Sequence, residues 1–114
     1  MHVSHPNDHG VLPAGYRETI GLRGRAHAII TIALCEDGLF RYGLEMMYSH
    51  GGFGVPITVN DHPFPSLASA RMAAIQAMLC HWPQPFPSDP TRVHQELQYL
   101  REQIECHLQQ PSLF

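Results

Sequence analysis

The chain predicts an α+β fold, an antiparallel three- to four-stranded sheet packed by one alanine-rich helix, with a second, amphipathic helix near the C-terminus. Three observations carry that expectation. Two alternating runs flank Asp37-Gly38, an alanine-rich stretch follows Pro65-Ser66, and an apolar seam recurs after Pro90. At 114 residues, 44% apolar and 15% charged, the composition suits a single globular domain. A domain of this size buries roughly 65% of its unfolded surface.

Residues 1–15 hold two prolines, two glycines and three histidines, and read as a flexible segment ahead of one domain over 16–110. In "YRETIGL" Tyr16, Ile20 and Leu22 can share a face, which predicts a first strand over 16–22. "AHAIITIALC" is rich in β-branched residues and apolar on both sides, as a covered central strand over 26–35 would be. Asp37-Gly38 predicts a tight hairpin turn, because glycine accepts a positive φ. The strand over 39–48 turns Phe40, Tyr42, Leu44, Met46 and Tyr48 toward a core, and Arg41, Gly43 and Glu45 toward water. "VPITVN" aligns Val55, Ile57 and Val59 in a strand over 55–60, which Pro56 confines to an edge or to a start at that proline. The cluster Gly51-Gly52-Phe53-Gly54 then falls between two strands as a loop.

Ser66 is a good N-cap for a helix over 66–82. Leu67, Ala70, Ala74, Met78 and Trp82 descend one side, with Ala68, Met72, Ile75 and Leu79 beside them. So broad a stripe suits a helix laid across a sheet. "PQPFPSDP" breaks the chain, and Asp89 and Pro90 suit the start of a helix over 90–109 that stops before Pro111. In it Val93, Leu97, Leu100 and Ile104 form a narrow seam. That seam either packs on this chain's own core or meets the same helix of a second copy in a homodimer.

Net charge of −3 and a pI near 6.3 give no bulk nucleic-acid footprint. All seven basic residues are arginines, which either reflects a compositional bias or favours forked contacts to carboxylate and phosphate. No stretch reaches the roughly 20 apolar residues of a membrane span. Three cysteines without a CxxC pair suit a reducing compartment, so a cytoplasmic setting is expected.

His50-Gly51-Gly52 has the look of an oxyanion loop, but no G-x-S-x-G nucleophile elbow accompanies it. A phosphate loop would need a lysine, and the chain has none. His2, His5 and His9 with Asp8 could surround a metal only if the N-terminal segment folded back on itself. Cys80-His81 and Cys106-His107 repeat near the two helix ends, yet adjacent helical residues diverge by about 100° and rarely serve one ion. Neither metal nor cofactor is expected. Glu36-Asp37 and Asp61-His62 sit where turn propensity alone accounts for them. No catalytic constellation converges, so the reading is non-enzymatic.

Two resemblances add to this. The strands followed by "FPSLASARMAAIQAML" resemble the core of double-stranded-RNA-binding domains, with Ala70, Ala73 and Ala74 as the small packing residues. That family places lysines at the helix start, where this chain has Leu67, Ala68 and Ser69. Residues 25–82, with "GFG…P…FPS…A…AA…L", are similar to small antitoxins with a partial ribonuclease-H-like fold and to short accessory proteins of plasmids and phages. The second likeness implies a mobile-element setting, in which such proteins bind and block host or defence complexes, as anti-CRISPR proteins do. The expected activity is therefore protein binding, through Arg41, Glu45, His50, Phe53 and His62. The alternatives are a nucleic-acid-binding strip of Arg17, Arg23 and Arg25, and a histidine-rich metal-binding module.

Overall fold

A computed structural model describes residues 1–109; the expected domain end at 110 and the helix stop at Pro111 lie outside them. The expected architecture forms. Strands β1 (Tyr16–Arg23), β2 (Ala26–Leu34), β3 (Phe40–Tyr48) and β4 (Gly51–Val55) make one antiparallel sheet in the order β1-β2-β3-β4. Helices α1 (Leu67–Cys80) and α2 (Thr91–Gln109) follow.

The pairing register explains the two faces. Ile30 lies opposite both Glu18 and Leu44, and Ala28 opposite Met46. These residues face the helices, where Ile20, Ile30, Met46, Ile75, Met78, Val93, Leu100 and Ile104 are almost wholly buried. The register of β1 slips between Thr19 and Gly21, so Ile20 is an extra residue that sinks into this core. Ser66 caps α1 with Ser69 as its reciprocal partner, each side chain bonding the other's backbone N–H. Buried Ala70 and Ala74 let α1 lie close to the sheet.

The seam of α2 has one occupant, this chain's own core. Val93, Leu97, Leu100 and Ile104 are at most 3% exposed, so a homodimer through those residues is corrected. Asp89 does not bond α2 either. Its Oδ2 accepts the Phe86 N–H at 2.8 Å, closing a turn in the proline-rich connection.

Three further expectations change on the opposite face. Residues 1–15 are not a loose lead-in but a strap. Ser4 donates its N–H to Leu34 O (2.7 Å) and its hydroxyl to Pro13 O (2.8 Å), and Leu12 N–H bonds Ile57 O (2.8 Å). Leu12, Ala33, Cys35 and Ile57 form a second, smaller core under it. The strand expected over 55–60 does not form; after Val55 the chain crosses the sheet, and within 56–60 the described residues make a single isolated bridge, Val11 to Thr58. Gly43 makes this crossing feasible, since a Cβ there would meet Val55 O at 2.6 Å. Finally, the glycine cluster is no loop. It is β4 itself, joined to β3 by Ser49-His50. The turn after β2 keeps Gly38 at φ +80, but Cys35 N–H to Leu39 O (2.8 Å) closes a three-residue loop.

Candidate functional site

The expected contact residues separate into distinct surroundings. Arg41 is consumed by the fold: its side chain is 11% exposed, it forks onto Asp37 at 3.0 and 3.3 Å, and its Nε–H bonds Asp61 O at 3.0 Å. The Asp37 carboxylate pushes Arg41 further up and is itself held below the usual carboxylate range by Arg41. Arg41 ties the β2–β3 turn to the segment before α1. Glu45, His50 and Phe53 all lie on the β3–β4 hairpin. His62 stands apart, its ring edge-on to Phe64 with centroids 5.0 Å apart.

The hairpin is held from the helix side. Glu96 on α2 accepts the Ser49 N–H at 2.7 Å and the Ser49 hydroxyl at 3.0 Å. His50 Nδ1 lies 3.5 Å from Asp89 Oδ1, so the same aspartate that closes the Phe86 turn reaches the hairpin tip. Phe53 packs on the main core with its ring 6.5 Å from that of His81. This is a packing role, and it anchors the middle of β4.

Beyond that anchor β4 is bare. Gly51, Gly52, Gly54 and Val55 are exposed, and the strand's backbone makes no hydrogen bond outside its pairing with β3 among the described residues. The strand contains no charged residue and no proline. Gly52 is sterically required, because a Cβ would collide with the Met46 carbonyl, whereas Gly54 has open space around it. Exposed Met47 and Val55 flank the edge. Near its start Phe86 is 73% exposed, its backbone fixed by Asp89 and by His94 Nε2 at 3.1 Å from Phe86 O.

The arginine strip is broken by register. Arg17 lies opposite Thr31 on the strap face and pairs with Glu45 at 2.7 Å; Arg23 lies opposite Ala26 and stacks on Tyr99 of α2 at 4.8 Å. Only Arg25, in the turn, projects without such a partner. The alternation of a strand sends Arg17 and Arg23 to opposite faces once the bulge at Ile20 is counted. Among the described residues no three His, Cys, Asp or Glu side chains gather as a metal site, so the histidine-rich segment assembles none.

One constellation escaped the sequence. Glu18 of β1 takes a forked pair of bonds from Arg71 of α1 (2.7 and 2.8 Å) and one from the Tyr16 hydroxyl (2.5 Å). His107 of α2 is 3.2 Å from Arg71 Nη2. Arg71 holds the Glu18 carboxyl below its ordinary range, against an opposing effect of burial, while burial and Glu18 push Tyr16 up. The bonds of this cluster rivet β1, α1 and α2 together. Its members are 53 and 36 positions apart in pairs, a separation no local motif reveals.

Among the described residues no helix is long and apolar enough to cross a membrane. Comparison with known protein families, with curated proteins and with solved structures finds no match.

Proposed function

We propose that this chain is a non-enzymatic binding protein that takes an extended segment of a partner protein onto the free edge of β4. The observation that carries this reading is the unpaired, uncharged β4 edge with exposed Met47 and Val55 beside it. Main-chain bonds along such an edge supply affinity, and side-chain pockets beside it supply selectivity. Phe86, exposed in the connection whose Asp89 reaches the hairpin tip, is the type of group that dominates interface energetics. The likeness of residues 25–82 to accessory proteins of mobile elements supports an inhibitory or regulatory role in the cytoplasm, against a host or defence complex.

Gly54→Lys provides the test. The new side chain has room, leaves the chain's own contacts intact and places a charge beside the edge, a device that natural edge strands use against pairing. Affinity capture from host extract with the parent chain, followed by mass spectrometry, is expected to recover a stoichiometric partner. Gly54→Lys should lose that partner at least about tenfold, roughly 1.4 kcal/mol, with the circular-dichroism spectrum unchanged. Equal recovery by both proteins would overturn the reading.

A further inference from the structure

β3 is covered along its outer edge twice, with a gap between. β4 pairs with it from Leu44 to Tyr48, ending at Leu44 opposite Val55. Farther along, Phe64 bonds Phe40 in both directions, N–H to O, at 2.8 Å each. The position between them is Tyr42. Its ring and those of His62 and Phe64 line the gap with Val55 and Asp61, around a space of ≈ 150 Å³.

The walls are set at an angle to one another. Phe64 stands at 79° to His62 with centroids 5.0 Å apart, and at 38° to Tyr42 with centroids 5.9 Å apart. Asp61 lines the space as well. Asp61 Oδ2 accepts the Thr58 N–H at 2.8 Å, and Oδ1 accepts no hydrogen bond among the described residues. Arg41, the nearest cation along the chain's contacts, bonds the Asp61 carbonyl and gives its charge to Asp37. The pocket thus brings three aromatic rings, a type of group that attracts cations through its quadrupole, beside a carboxylate with an oxygen that accepts no hydrogen bond among the described residues. A space of ≈ 150 Å³ has room for a group as small as a quaternary ammonium. An anion would meet Asp61, and a neutral apolar group would leave the carboxylate desolvated without compensation.

We propose that Tyr42, Asp61, His62 and Phe64 form a binding site for an alkylammonium group, with Val55 as its apolar floor. Three of its members are held by structure: Phe64 by the paired bonds to Phe40, Asp61 by the Arg41 bond, and Val55 by the end of β4. It therefore exists before any ligand arrives, which keeps the ordering cost of binding small. The site shares Val55 with the β4 edge but not Gly54, so Gly54→Lys distinguishes the two readings.

Heteronuclear NMR titration with choline is the test, with its neutral isostere 3,3-dimethyl-1-butanol as control and ionic strength matched by sodium chloride. Choline is expected to shift the amides of Val55, Asp61, His62 and Phe64 saturably, with affinity at least about tenfold above the isostere. Phe64→Leu and Asp61→Asn should each weaken choline about fivefold. A short peptide carrying one trimethyl-lysine distinguishes the sources: affinity at least tenfold above choline identifies a partner's side chain, and equal affinity a free small cation. Equal binding of choline and the isostere would overturn the proposal, as would no saturable shift with choline and peptide alike. So would unchanged affinity in both variants while their spectra remain those of the folded chain.

Discussion

At one edge of the sheet, β1 carries Arg17 and Arg23, a bulge at Ile20, and the Gln103 amide oxygen on its Leu22 N–H at 2.7 Å. At the other, β4 carries three glycines and no charge, and α2 reaches only as far as Ser49 in the turn. Charge, bulge and a covering side chain are all devices that stop a strand from templating another. The chain uses all three on β1 and none on β4. An undefended edge is a hazard unless something pairs with it, and this contrast within a single sheet is what supports the proposal of strand addition at β4.

The comparison is broken most forcefully from the β1 side. Leu100 is fully buried where α2 crosses the core, and Leu100→Ala should cost about 3 kcal/mol through lost burial and a cavity. Urea unfolding measures this, and loss of helical signal before strand signal would show that α2 can leave β1 alone. Glu18→Gln comes next, at about 2 kcal/mol, since it removes a charged acceptor from the forked bond to Arg71. The Glu18 pKa is lowered in the folded state, so its contribution is full above the unfolded value and is lost as pH falls through the folded one. The parent chain should therefore destabilise on acidification below about pH 4.5 more steeply than Glu18→Gln. Parallel acid slopes in thermal melts would contradict the clamp.

Smaller effects discriminate the edges themselves. Gln103→Ala strips the cover from Leu22 and should cost about 1 kcal/mol. It should also raise concentration-dependent association, read by light scattering, if that amide defends β1. Gly54→Lys should shift stability by less than about 0.5 kcal/mol, because the site is exposed and open. Its whole effect belongs to binding. A large loss of stability there would mean that Gly54 itself is held by contacts beyond β3.

What was legible in the sequence follows from side-chain pattern. β2 and β3 announce themselves through alternation, and α1 and α2 through Ser66 and the seam from Val93 to Ile104. β4 was invisible for the same reason. Period-two reading needs side chains, and Gly51, Gly52 and Gly54 have none, so the apolar spacing of Val55, Ile57 and Val59 drew the strand too far along the chain. The crossing segment uses Ile57 for the second core and leaves Val59 exposed, a division that looks like a strand until its partner, Leu12, is known. Of the expected contact residues, Glu45, His50 and Phe53 fall on one hairpin, although Phe53 serves packing and Arg41 is spent on Asp37 and Asp61. The aromatic pocket was half visible as His62; Tyr42 and Phe64 join it only because Phe64 bonds Phe40 across 24 positions.

The α+β class, the order of its elements and the face each helix buries are determined by the sequence alone, because periodicity and capping are local and act within a few residues of one another. Which strand edge is left uncovered, where the N-terminal segment lies, and which side the arginines take were decided by the tertiary structure. Those outcomes depend on register, on a single extra residue in β1 and on contacts between distant segments. A one-residue slip in a strand reverses every side chain beyond it, and no local pattern records that slip.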